Sequence, residues 1–150
     1  MALGLAWVAL AAGCGGGGDA ERTSADTSLA RAERSLQSEL EAAVEHLGMP
    51  AQEGIRVAPT RCDDRARNEV TSGYRLRLKM GAGDAEALMR RAEAFWRERG
   101  RYVRVVGAKG TFPAVFATAD PGWTFSLQLF PERGEALLSG GTPCLPDPKA

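Results

Sequence analysis

Leu29, Leu36, Leu40, Val44 and Leu47 recur at helical spacing, and Arg34, Gln37, Glu41 and Glu45 fall on the opposite face. Gly48 and then Met49-Pro50 stop the pattern, because glycine accepts a left-handed cap and proline cannot continue a helix. A first helix from Ser28 to Leu47 follows. Beyond it the period falls to two. Ile55 and Val57 flank Arg56 in an extended stretch from Gln52 to Cys62, where Pro59 argues for a strand end or a sheet edge. The clearest strand is Val70 to Met80: Tyr74, Leu76, Leu78 and Met80 alternate with Arg75, Arg77 and Lys79. One of its faces belongs to a core, and the other is basic and wet.

Gly81-Ala82-Gly83 turns the chain into a second helix, with Asp84 as N-cap and Leu88, Ala92, Phe95 and Trp96 as its apolar stripe. Glu86–Arg90 and Glu93–Arg97 are oriented to pair one turn apart, and Gly100 ends the helix. The remainder alternates again. Strands are predicted over Tyr102 to Val106, Phe112 to Ala119, Trp123 to Leu129 and Glu135 to Ser139. Gly107-Ala108-Lys109-Gly110, Asp120-Pro121-Gly122 and Pro131-Glu132-Arg133-Gly134 are the turns between them. The order α-β-β-α-β-β-β-β, with hairpin-length connections, predicts an α+β two-layer sandwich. Its sheet is mostly antiparallel and both helices pack on one face. The second face is then the candidate functional surface.

The N-terminus breaks this pattern. Ala2 to Ala12 is almost wholly apolar and uncharged, far too short to span about 30 Å of hydrocarbon, and it ends Leu10-Ala11-Ala12-Gly13-Cys14. An apolar stretch, small residues and a cysteine are how a lipoprotein signal ends. Residues 1–13 are expected to be removed and Cys14 to carry lipid. Ala11 stands where the usual lipobox has leucine, and Met1-Ala2-Leu3-Gly4 lacks the customary basic residue. An ordinary secretory cut after Ala9-Leu10-Ala11 is the alternative. Two acyl chains suffice for stable anchoring, at about 0.8 kcal/mol per buried methylene. Gly15 to Gly18 and the polar stretch to Thr27 make residues 14–27 a flexible tether, which reaches about 20 Å. Residues 28–150 form a single domain, large enough for one core.

Nineteen basic and nineteen acidic residues balance, so no basic excess points to nucleic acid. Arginine strongly outnumbers lysine, which occurs only at Lys79, Lys109 and Lys149; Asn68 and Ile55 are the only residues of their kinds. Together with the lipobox, this usage resembles the small secreted lipoproteins of high-GC actinobacteria. The resemblance is one of layout and composition and implies no active-site residue. With Cys14 set aside for lipid, Cys62 and Cys144 remain, and an even remainder outside the cytoplasm predicts a disulfide. It would close a loop of roughly 83 residues, for about 4.5 kcal/mol in the chain-entropy description, and pin the Gly140–Cys144 segment against the sheet.

Candidate chemistry is sparse. Gly81-x-Gly83 lacks the third glycine of a dinucleotide fingerprint, and Asp84 and Glu86 put negative charge where a pyrophosphate would lie. His46 is the only histidine, which excludes a multi-histidine metal site; it sits where a cation favours a helix C-terminus. Asp63 and Asp64 lack further acidic ligands at calcium-loop spacing. No cofactor and no metal are expected. Arg75, Arg77 and Lys79 form a basic stripe, extended by Arg104 and Arg61 and shared with Thr124, Ser126 and Gln128. Such a stripe suits an anionic envelope component or envelope protein. The expected function is a non-enzymatic binding or accessory module anchored at the membrane. Tyr74, Phe95, Trp96, Trp123 and Phe125 have the spacing of core faces; lining a cavity instead, they would make a carrier or sensor of an apolar ligand. A hydrolase would need His46 joined to a nucleophile or to Asp63 and Asp64.

Overall fold

A computed structural model describes residues 17–63, 68–81, 85–107 and 112–150, with the side chains of residues 17–27 and of Gln52 left aside. Helix α1 (Gly17–Leu47) ends where the sequence predicts. Gly48 takes φ +65°, and its N–H donates to the Val44 carbonyl at 3.0 Å. Its start lies well before Ser28, inside the segment expected to be a tether. Asp19-Ala20-Glu21-Arg22 carries helix-favouring residues but no apolar stripe for a periodicity to register. Helix α2 (Ala85–Glu98) carries both expected pairs, Arg90–Glu86 at 2.6 Å and Arg97–Glu93 at 2.7 Å. Asp84, its expected cap, lies outside the described residues, as do Asp64, residues 108–110 of the expected Gly107–Gly110 turn and Gly83.

The strands are β1 (Ala51–Arg61), β2 (Glu69–Lys79), β3 (Tyr102–Val106), β4 (Ala114–Ala119), β5 (Trp123–Phe130), β6 (Glu135–Gly141) and β7 (Leu145–Pro146). They form one open antiparallel sheet in the order β1-β2-β6-β5-β4-β3, with β7 on β2 beyond the end of β6. Alternation decides the faces. Leu76, Leu78, Val115, Ala117, Phe125, Leu127, Leu129, Ala136 and Leu138 are all buried on one face. Helix α1 covers the β2, β6 and β7 half of that face, and α2 covers β3, β4 and β5. The expected α+β sandwich is therefore present, with both helices on one side.

Between the helices and the sheet Trp96 is fully buried, with Phe95 and Phe125 beside it. Trp96 and Phe125 stack at 6.3 Å between centroids, and Trp123 and Phe125 at 6.5 Å. The aromatic residues thus fill a core. Arg101 lies 5.4 Å from the Phe125 centroid, and its Nε and the Trp96 Nε1 are buried donors without a hydrogen-bond partner.

Cys62 and Cys144 are joined, with Cα atoms 6.1 Å apart. The bridge closes the corner where β7 pairs with the start of β2 through Glu69–Pro146 and Val70–Leu145. A polar network supports that corner. The Thr142 hydroxyl accepts from the Ser72 N–H at 3.0 Å, and Ser72 Oγ donates to Glu33 of α1 at 2.6 Å. Arg56 of β1 grips the same carboxylate through two nitrogens.

Candidate binding face

The strand register assembles distant segments into transverse rows on the face that no helix covers. One row runs Arg104, Phe116, Ser126, Ser139, Arg75 and Ile55, each directly opposite the next. The row on one side runs Tyr102, Thr118, Thr124, Gly141, Gly73 and Val57. On the other side Gln128, Leu137, Arg77 and Glu53 follow one another. Arg75, Arg77, Lys79 and Arg104 do share this face, with Thr124, Ser126 and Gln128 among them.

Arg61 does not. A register shift between Val57 and Thr60 places Arg61 opposite Val70, on the parity of the helix-covered face. An irregularity of one residue reverses every later side chain of a strand, and simple alternation through Pro59 cannot anticipate it.

The rows also separate the cations by their surroundings. Arg77 has Glu53 directly across on β1, and Lys79 has Glu135 directly across on β6. Arg75 and Arg104 stand in a row without a carboxylate. Both are exposed. Arg104 leans on Phe116, 5.4 Å from the ring centroid; Arg75 makes no ion pair or hydrogen bond among the described residues. Of the stripe's cations, Arg75 and Arg104 are thus the ones with no carboxylate directly across in register.

Beside it the face is hollow. Gly73 and Gly141 oppose each other in register, so no side chain rises between Val57 and Thr124. A Cβ on Gly73 would come within 3.2 Å of the Gly140 carbonyl oxygen, and one on Gly141 within 2.8 Å of Thr124 Oγ1. The resulting trough encloses about 390 Å³, with walls from β1, β2, β6, β5 and β4. Five strands at about 4.8 Å spacing make it about 19 Å long, crossing the strands rather than following them. Thr71, Thr124, Ser126 and Ser139 place hydroxyls along it and Arg75 a guanidinium. Thr71 Oγ1 donates to the Thr142 carbonyl at 2.7 Å. Ser126 and Ser139 share one hydrogen bond at 2.8 Å, which leaves one O–H of that pair free to donate outward.

A second cleft of about 400 Å³ opens between the end of α1, the end of β2 and α2. Leu47, Met49, Met80 and Leu88 form its apolar floor, and Lys79 and Arg91 its rim.

The remaining candidates do not converge. The His46 ring lies 5.1 Å from that of Phe95, so it serves as a contact between the helices. His46 precedes the start of β1 and Asp63 follows its end, which sets them about 30 Å apart along an extended strand. Among the described residues no three histidine, cysteine or acidic side chains gather as metal ligands. Cys14 lies outside the described residues. Gly73, Gly141, Ser139 and Phe116 join the site only through pairing, and no local signal in the chain marks them. No protein-family model matches the chain, and neither a curated protein nor a solved structure matches it.

Proposed function

We propose that the chain is a non-enzymatic module, lipid-anchored through Cys14 at the outer face of the cell membrane, that holds an anionic envelope component on the open face of its sheet. The observation that carries this reading is the unpaired Arg75 beside a hydroxyl-lined trough, in a row with Arg104 and without a carboxylate. A guanidinium gains most from an anion where no carboxylate already neutralises it, and hydroxyls orient the ligand without adding charge. Pull-down from envelope fractions with Arg75→Glu and Arg77→Glu beside the unaltered protein tests it. Arg75→Glu is expected to lose the partner. Arg77→Glu, whose cation already faces Glu53, is expected to retain most of it. An unchanged partner set with Arg75→Glu removes the proposal.

A second reading, carriage of a small apolar ligand, draws on the cleft of about 400 Å³ floored by Leu47, Met49, Met80 and Leu88. Its volume is in the range of small-molecule sites, about 300–1,000 Å³. The buried aromatic residues do not line it. Native mass spectrometry of protein purified from membranes would show a bound apolar ligand as added mass; bare protein speaks for the open face alone.

A further inference from the structure

We infer that the ligand of the open face is a linear acidic polysaccharide, lying across the strands with its carboxylates on Arg75 and Arg104 and a sugar ring against Phe116; this rests on the binding face proposed above. The lining of the trough suits an extended ligand. Its residues come from five neighbouring strands around about 390 Å³, so a single chain lying across them touches every wall. Its direction matters equally. A peptide adding to this sheet would pair with an edge strand and run parallel to it, whereas this trough crosses the strands and has a backbone floor at Gly73 and Gly141.

The chemistry along the trough is that of an acidic sugar chain. Ser126, Ser139, Thr71 and Thr124 offer hydroxyl oxygens that accept from sugar hydroxyls, and one O–H of the Ser126–Ser139 pair donates in return. Arg75 and Arg104 occupy the same row four strand spacings apart, about 19 Å. A repeating chain reaches both guanidiniums with successive acidic units, and a single small anion does not. Phe116, half-buried between Arg104 and Ser126, gives the C–H face of a sugar ring an apolar surface within the polar row. That surface favours an acidic sugar over a polyol phosphate, which has the charge and the hydroxyls but no ring.

The test is calorimetric titration of the full chain with oligogalacturonates of graded length, beside neutral malto-oligosaccharides and polyglycerol phosphate. Saturable binding is expected only for the acidic sugars, with affinity rising until the oligomer spans Arg75 to Arg104. Arg75→Ala and Arg104→Ala should each weaken it about tenfold or more, the loss of a charge-assisted hydrogen bond. Phe116→Leu keeps an apolar side chain on the solvent-facing side of the sheet and removes the ring, and should weaken binding with a nearly unchanged melting temperature. Equal binding of neutral sugars, tighter binding of polyglycerol phosphate, indifference to Phe116→Leu or no binding of oligogalacturonate each overturns the polysaccharide assignment. The pull-down separates this from failure of the face itself. A partner still lost with Arg75→Glu leaves an anion site for another ligand, and a partner retained removes the site.

Discussion

Gly140 shows how much one residue can constrain. It sits on the helix-covered face, where an added Cβ would meet Leu36 Cδ1 at 2.6 Å, the Thr124 carbonyl oxygen at 3.1 Å and Phe125 at 3.3 Å. Gly140→Ala is therefore an overpacking substitution, expected to cost about 1–3 kcal/mol in urea denaturation. Trp96→Ala empties the centre of the core and should cost about 3–5 kcal/mol by the same measurement. At this scale the sequence is informative about type and silent about partner. Alternation in β2 puts Arg75, Arg77 and Lys79 on one face without help. It cannot show that Arg77 and Lys79 face carboxylates while Arg75 does not. Gly73 and Gly141 are likewise unremarkable until pairing sets them opposite each other, because register is a property of two strands and neither sequence holds it alone.

Elements with a one-sided environment were the legible ones. β2 and β5 are buried on one face and wet on the other, so their period of two is plain, and α2 shows the same contrast at helical spacing. β7 was not legible: it has two paired residues, one of them Pro146, and exists because the chain is held against β2. The start of α1 lies outside the periodic pattern because intrinsic helix preference leaves no hydrophobic period. The Cys62–Cys144 bridge spans 82 residues of sequence and fixes β7, an element that local preference does not supply. Removing it with Cys62→Ser, or with reductant, is expected to lower stability by up to about 4.5 kcal/mol, read as a fall in the urea midpoint. Hydrogen exchange should then show the amides of Leu145 and Asp147 losing protection before those of β5.

On the function proposed above, the whole molecule joins a lipid anchor to a binding face. Cys14→Ser is expected to move the protein from the detergent phase to the aqueous phase on phase partitioning, and mass spectrometry of the mature N-terminus should lose the diacylglyceryl mass. Attraction at an exposed row of arginines is screened within about 8 Å at physiological ionic strength. Capture of the anionic partner should therefore weaken steadily as salt is added, while the melting temperature of the domain stays nearly constant; salt-independent capture would point to the apolar cleft instead. The strand order has one more effect, on how the chain reaches this state. β2 is formed early in the sequence, but one flank waits for β6 and β7, so Glu69–Lys79 stays half-paired until Glu135–Pro146 is free. Helix α2 meanwhile carries the chain to the far edge, and the meander β3-β4-β5 must be laid down before β6 can arrive. A chain delivered N-terminus first passes through a long interval with an adhesive strand exposed, and the distant pairing of β2 with β6 and β7 makes closure slow. The segment from Glu135 onward acts as the latch, and a chain truncated before it should emerge sticky and unfinished rather than merely shorter.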